Sequence, residues 1–207
     1  MLSSVDTVLV LHVCSGNLHV TEVDDDEDEW QDPSGGILVN IFAACEEGDA
    51  EALEVNLQDL RNDVTDKAAQ YSINTPGPDG DTALHLACLY GHLQCVQKLL
   101  DAGSCPNVIN PDDKTTPLHD AAAGGYLDLL QLLIAKGGAD VLQQQDTDGD
   151  TALHNAARGG HPAVVQFLLQ QGANPSLRNA AGHTAAEEAD EPEVTQLLQQ
   201  AADSASS

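Results

Sequence analysis

Three hexapeptides of this chain share one pattern: TALHLA at residues 82–87, TPLHDA at 116–121 and TALHNA at 151–156. An altered fourth copy, TAAEEA, occupies residues 184–189. The threonines that open the four copies are 34, 35 and 33 residues apart. A near-constant interval between copies of one motif indicates a repeat architecture, in which each unit packs mainly against its neighbours.

Each copy has the residues that begin a short helix. Threonine is a good N-cap, and proline, which follows it in one copy, is tolerated in the first turn. A glycine at 91, 125 or 160 then predicts a tight turn before a second, amphipathic helix. Each unit is therefore two helices with an apolar face that only stacking can bury. The residues that define the motif are Thr82, Leu84, His85, Thr116, Pro117, Leu118, His119, Thr151, Leu153 and His154.

This interval and the T-P-L-H-x-A pattern resemble those of ankyrin repeats. The resemblance implies an all-α solenoid of stacked helix-turn-helix units joined by hairpin loops. It also implies that the recurring histidines are structural and bond to the threonine and to neighbouring backbone. Copies of one side chain lie a repeat width apart, which is too far for them to share a metal ion.

Glycines also mark where each second helix ends. Gly103, Gly137 and Gly172 each lie 21 residues after the threonine of their unit, whereas the next threonine follows after 13, 14 or 12 residues. This difference predicts helical parts of constant length and surface connections that absorb every insertion.

The repeats divide the chain into three parts. We expect an acidic, disordered tail over residues 1–35, a repeat domain over 36–203 and a frayed end at 204–207. Within the domain we expect a cap repeat, a long connection, three full repeats and a C-terminal cap repeat, at residues 36–66, 67–79, 80–113, 114–148, 149–181 and 182–203.

The N-terminal tail has nine acidic residues and no lysine or arginine, and six of the acidic residues form the run Asp24–Glu29. Such a run is typical of a disordered, solvated segment. It is also suited to a basic partner, with Trp30 as an apolar anchor, and both interpretations stay open. Residues 5–13 fit a short helix or a strand equally well.

The net charge of -27 bounds the function. Nucleic acids and anionic membranes would be repelled, so we expect a protein partner, and a basic one is compatible with this charge. No apolar run approaches the roughly 20 residues that cross a bilayer, and five cysteines without a C-x-x-C pair are typical of buried thiols in a reducing compartment. We therefore expect a monomer in the cytoplasm or nucleus, or in both.

No motif indicates catalysis, a metal site or a cofactor. The segment Asp146–Asp150 resembles part of a calcium loop, but its glycine stands at the fourth position and not the sixth. Nucleophile elbows, phosphate-binding glycine loops and paired catalytic carboxylates are not recognisable. We expect a protein that is not an enzyme.

The resemblance to ankyrin repeats implies that partners dock on the concave surface, which consists of the hairpin tips and the exposed ends of the first helices. Carried over by position, that surface comprises Asp79, Asp81, Leu89, Tyr90, Asp112, Asp113, Ala123, Asp148, Asp150 and Arg158. Aspartates in these loops also simply favour turns and solubility. Lys114 stands where other repeats have Gly80, Gly149 and Gly182, so the sequence leaves the geometry of its hairpin open.

Two functions from the binding class are compatible with these features. The first is an adaptor or scaffold that binds a protein through the concave surface. The second is a chaperone or inhibitor that masks a basic client, of the proteasome-assembly or transcription-factor-inhibitor type. An enzyme with an unrecognised site is the remaining alternative.

Overall fold

A computed structural model describes residues 10–14, 17–21, 30–63 and 71–205. Its helices follow one another in five pairs within these ranges, and the first helix of each pair contacts the first helix of the next. In the same way, the second helix of each pair contacts the second helix of the next pair. The all-α repeat solenoid predicted from the sequence is confirmed. The helices are α1 (Ile37–Glu47), α2 (Ala50–Asn62), α3 (Ala83–Leu89), α4 (Leu93–Asp101), α5 (Pro117–Ala123), α6 (Leu127–Gly137), α7 (Ala152–Arg158), α8 (Pro162–Gln170), α9 (Ala185–Glu188) and α10 (Pro192–Ala205).

The core runs along the stack as rows of equivalent residues. The leucines of the repeated motif, Leu84, Leu118 and Leu153, are almost completely buried. The alanine three positions later in each motif is also fully buried, and its small side chain lets neighbouring first helices approach closely. Burying one leucine contributes about 1.5–3 kcal/mol. Burial of a row of leucines that recurs in every unit is therefore the main reason why the repeats stack.

One of the predicted helix ends is wrong. Helix α6 has 11 residues, whereas α4 and α8 have nine, and it includes Gly137. The positive φ of 79° that ends it belongs to Gly138. The helical part therefore takes up one inserted residue here, because two adjacent glycines let the turn move by one position. In the neighbouring repeats, Gly103 and Gly172 have the positive φ as expected.

Residues 30–35, which we assigned to the disordered tail, are ordered against the first repeat. The side chain of Asp32 accepts hydrogen bonds from the backbone N–H groups of Ser34, Gly36 and Val39 at 2.7–3.0 Å. Partial burial raises the pKa of Asp32, but the bonds from Ser34 and from these N–H groups outweigh it and lower the pKa overall. These bonds replace the missing helical partners at the start of α1.

Two strands also depart from the disorder predicted for residues 1–35. Strand β1 (Val10–Cys14) pairs antiparallel with β2 (Asn17–Thr21), and Val10 lies opposite Thr21. Valines in both segments, together with Thr21 in the second, favour extended backbone, which explains a strand at residues 10–13, where the sequence left helix and strand open. Residues 5–9 lie outside the described residues. The acidic run Asp24–Glu29 lies outside the described residues.

The C-terminal end is more helical than predicted. Helix α10 begins at Pro192 and continues through Ser204 to Ala205, so part of the predicted frayed end is helical. Residues 206–207 lie outside the described ranges. In the parts of the chain that the structure describes, no helix is both long and apolar enough to cross a membrane.

Three cysteines, Cys45, Cys88 and Cys95, are buried thiols, as the composition led us to expect. Burial raises the pKa of the Cys88 thiol well above its usual value, so this residue acts as a small apolar side chain. Cys105 is instead disulfide-bonded. The interpretation of all five cysteines as thiols is therefore wrong for this residue.

Candidate partner-binding surface

The connections between repeats end in tight hairpins that are closed by backbone hydrogen bonds. The N–H of Gly77 donates to the oxygen of Asp81 at 2.8 Å, and Asp146 and Asn179 make the same bond four residues ahead. In the second hairpin the bond spans five residues, from the N–H of Asn110 to the carbonyl of Thr115, at 2.9 Å. The extra residue therefore lies in the tip of this hairpin.

Lys114 adopts the backbone conformation that glycine has in the other hairpins. Its φ is 65°, whereas Gly80, Gly149 and Gly182 have φ values of 77°, 75° and 84°. Its ammonium group also donates to the carbonyl of Pro111 within the same tip. The geometry that the sequence left open therefore follows the other repeats, at the cost of a side chain in the left-handed region.

The recurring histidines join each first helix to the hairpin of the next repeat. The Nδ1 atom of His119 accepts from the backbone N–H of Thr116 at 3.2 Å and lies 2.9 Å from its Oγ1. The Nε2 atom lies 3.2 Å from the carbonyl of Asp150, to which it donates in that tautomer. Burial lowers the pKa of His119, so the ring is neutral. His85 and His154 make the equivalent contacts with Thr115 and His183.

Neighbouring hairpins are also bonded directly to each other. The Asn110 amide donates to the carbonyl of Asp79 at 3.1 Å and to Oδ1 of Asp81 at 2.8 Å. Farther along, the N–H of Thr147 donates to the Asp113 carbonyl, and that of Ala180 to the Asp148 carbonyl, both at 2.8 Å. The hairpin tips therefore form one connected ladder.

Four of the six predicted aspartates are exposed along this ladder: Asp79, Asp112, Asp113 and Asp148. Asp81 is half-buried between them. Burial raises the pKa of Asp81 and the nearby carboxylates of Asp113, Asp79 and Asp112 add to the shift, while the bond from Asn110 opposes it. This strip is therefore a place where negative charges repel one another and a cation would be stabilised.

Asp150 and Arg158 are paired with each other. Asp150 is only 3% exposed, and its Oδ2 lies 2.5 Å from the Arg158 guanidinium. Its Oδ1 accepts from Asn179, and Arg158 also pairs with Glu188 at 3.3 Å. The carboxylate of Asp150 is thus absent from the exposed strip. Arg158, at the C-terminal end of α7, pairs with two carboxylates.

The predicted apolar contacts lie at the ends of the first helices. Leu89 and Tyr90 are 45% and 50% exposed, and Ala123 is exposed at the end of α5. The Tyr90 ring stacks on His92 with centroids 6.3 Å apart. The structure therefore exposes both Leu89 and Tyr90 at the end of α3.

A buried carboxyl group in this region was missed in the sequence. Asp120 follows His119, at the position held by Leu86, Asn155 and Glu188 in the other repeats. Its Oδ2 is buried and has no hydrogen-bond partner among the described residues. Burial raises the pKa of Asp120 well above its usual range, and Asp81 and Asp113 raise it further. An acidic residue where a neighbouring repeat has leucine was the available signal.

A groove of about 250 Å³ opens at the N-terminal end of the surface, between α1, the first hairpin and α3. We call it the Trp30 groove. Its apolar lining residues include Trp30, Val39, Phe42, Pro78 and Leu86, and its acidic ones are Glu46, Asp79 and Asp81. The sequence singled out Trp30 and the two aspartates separately, but it did not predict that they line one groove together with α1.

In the parts of the chain that the structure describes, no group of three or more histidine, cysteine, aspartate or glutamate side chains is placed to hold an ion. The chemistry of the surface is therefore that of carboxylates beside exposed apolar side chains.

Comparison with known proteins agrees with the fold. A family described as "Ankyrin repeats (3 copies)" matches residues 41–145, and "Ankyrin repeat" matches residues 148–180. The chain is 41% identical over 80 residues to SMC5-SMC6 complex localization factor protein 1 from Homo sapiens. The aligned region covers 38% of this chain but 7% of that protein. The chain is 33% identical over 93 residues to the human Notch-regulated ankyrin repeat-containing protein, which covers 45% of this chain and 75% of that protein. The chain belongs to the ankyrin-repeat family.

Proposed function

We propose that this protein is an adaptor or scaffold that binds a partner protein through its concave surface. Ankyrin repeats indicate a protein–protein interaction module, and the finer role is our proposal. The observation that carries it is the row of exposed carboxylates at Asp79, Asp112, Asp113 and Asp148 beside the exposed Leu89 and Tyr90. Aromatic and apolar anchors next to charges are typical of residues that dominate binding.

Rigidity of the surface supports this proposal. The hairpins are bonded to one another and, through the histidines, to the first helices. A surface that is already ordered loses little conformational entropy when a partner binds. The excess of carboxylates favours a partner with a basic surface and disfavours nucleic acids and anionic membranes. We further propose that the protein acts as a monomer, without catalysis, in the cytoplasm or nucleus.

The proposal predicts separate losses of affinity from the two parts of the surface. The partner is recovered by affinity capture with the full chain, and its dissociation constant is measured by calorimetry. Leu89→Ala with Tyr90→Ala, and Asp112→Asn with Asp113→Asn, should each weaken binding about tenfold or more, equivalent to about 1.4 kcal/mol. Val55, a residue of α2 that is 60% exposed in the other row of helices, supplies the control Val55→Ala. Unchanged affinity in both double variants contradicts the proposal.

Masking of a basic client is the second candidate, and the run of carboxylates along the hairpins is the observation in its favour. Binding that depends mainly on these charges weakens steeply as sodium chloride rises from 50 to 300 mM, because salt screens exposed charges. Binding that depends on Leu89 and Tyr90 changes little over that range. The salt dependence of the dissociation constant therefore separates the two candidates.

A further inference from the structure

The Trp30 groove combines two kinds of wall. Trp30 and Phe42 lie with ring centroids 6.0 Å apart and planes inclined by 44°. Glu46, Asp79 and Asp81 bring three carboxylates to the same groove, and its lining contains no lysine or arginine. Aromatic faces attract cations, and carboxylates pair with them, so both walls select a positively charged group with an apolar stem.

We propose that the Trp30 groove is a subsite for an arginine side chain of the partner protein, an inference that rests on the proposed function. A guanidinium is planar, stacks on aromatic rings and forms paired hydrogen bonds with carboxylates, whereas the compact lysine ammonium is more strongly hydrated. At about 250 Å³ the groove is below the roughly 300–1,000 Å³ of small-molecule sites, so it suits a single side chain.

Charge decides between the possible occupants. The acidic run at residues 24–29 of this chain carries the same sign of charge as Glu46, Asp79 and Asp81. A second copy of the chain, with its net charge of -27, is disfavoured for the same reason. A cation beside Asp81 would instead relieve the repulsion from Asp113, Asp79 and Asp112 that this half-buried carboxyl experiences. A basic segment of another protein is therefore the complementary occupant.

Trp30 supplies a direct readout, because it is the only tryptophan of the chain. The full-length protein is titrated with a labelled peptide of alternating arginine and glycine, and with matched peptides that carry lysine or the neutral isostere citrulline instead. We expect a saturable change in Trp30 fluorescence with the arginine peptide. Affinity at least tenfold lower for the citrulline peptide, and several-fold lower for the lysine peptide, is expected. Equal affinity for arginine and lysine overturns the assignment to arginine.

Variants then locate the bound peptide by fluorescence anisotropy. Trp30→Ala, and Glu46→Gln with Asp79→Asn, should each weaken the arginine peptide at least tenfold, while thermal unfolding checks that the fold is retained. Glu46 and Asp79 are exposed, so the second variant keeps the test valid if Trp30→Ala fails to fold. If Asp112→Asn with Asp113→Asn weakens the affinity for the arginine peptide but neither groove variant does, this inference is overturned and the proposed function stands. If the groove variants lose the peptide but bind the natural partner with unchanged affinity, the partner does not use the groove, and this inference is overturned as well. The proposed function fails only if the Leu89 and Tyr90 variant and the Asp112 and Asp113 variant both leave the natural partner's affinity unchanged.

Discussion

Asp120 is a residue whose environment conflicts with its charge. The preceding and following repeats have Leu86 and Asn155 at this position, whereas Asp120 buries an unpartnered carboxyl oxygen. Because burial raises the pKa of Asp120, the folded protein holds a proton that the unfolded chain releases. This contribution to stability is complete below the ordinary aspartate pKa and is lost as the pH rises through the raised one.

Asp120→Asn should therefore stabilise the protein at neutral pH. Asparagine has nearly the same shape but cannot ionise, so it avoids the cost of burying the charge, which is about 1–3 kcal/mol. Asn155 shows that asparagine is accommodated at the equivalent position. The gain in the free energy of unfolding, measured with urea, should be larger at pH 7.5 than at pH 4. The exposed Asp190 supplies the control Asp190→Asn, which should change stability little. An equal gain at both pH values would contradict the ionisation argument.

At the residue scale, contacts within one helix could be predicted from the sequence, whereas contacts between elements could not. The threonine and histidine of each motif interact three residues apart, so their bond follows from the local pattern of a capped helix. The pairing of Asp150 with Arg158 and Asn179 depends on how a helix and the next hairpin approach one another. Position in a repeat therefore predicted where Asp150 lies, but not that its carboxylate is paired with Arg158 and Asn179.

At the scale of elements, the hairpins show that the array enforces one backbone geometry. Lys114 keeps a φ of 65° in a hairpin with an extra residue, because two bonds fix the tip on both sides. Asn110 donates to the Asp79 carbonyl, and the Asp113 carbonyl accepts from the Thr147 N–H. A non-glycine residue in this region costs about 1–2 kcal/mol.

Two substitutions in the hairpins should therefore act in opposite directions. Lys114→Gly should raise the free energy of unfolding by up to about 1 kcal/mol, since relief of strain exceeds the entropy that glycine gains in the unfolded chain. Gly80→Ala should lower it by about 1–3 kcal/mol, because Gly80 has a φ of 77° and an added methyl group would collide with the Asn110 and Asp112 side chains. Thermal and urea unfolding measure both changes. Destabilisation by both substitutions would show that strain at Lys114 is unimportant.

The helices themselves were largely predictable because their signals are local. Glycine turns and leucine spacing indicate where α3 to α8 begin, but they do not decide which of two adjacent glycines ends α6. That choice is made where the Asn107 amide of the preceding connection donates to the Gly137 carbonyl at 2.9 Å. A contact across 30 residues of sequence cannot be read from the local pattern.

At the scale of the whole molecule, stability depends on contacts between neighbouring repeats. The main contacts of the terminal helices α9 and α10 with the rest of the array are with one repeat, through α7 and α8. Leu198 and Leu153 are both fully buried, but Leu198 lies in the last unit and Leu153 in a middle one. In a quasi-one-dimensional array, damage at the end spreads less than damage inside.

Leu198→Ala and Leu153→Ala should thus differ in where the protein opens, although each removes a buried leucine at a cost of about 2–5 kcal/mol. Amide hydrogen exchange should show lost protection mainly at residues 184–205 for Leu198→Ala. For Leu153→Ala it should show lost protection in the repeats on both sides. The same exchange pattern in both variants would mean that the array unfolds as a single cooperative unit.

The sequence by itself determined the repeat register, the all-α class and the acidic character of the hairpins. These follow from residues that act over a single turn or a single repeat interval, so their spacing is sufficient. Only the tertiary structure decided that Asp150 is neutralised by Arg158, that the Oδ2 of Asp120 is buried without a partner among the described residues, and that Trp30 meets Phe42 and the first hairpin. Those outcomes depend on distances between side chains of different elements, and stacking sets such distances.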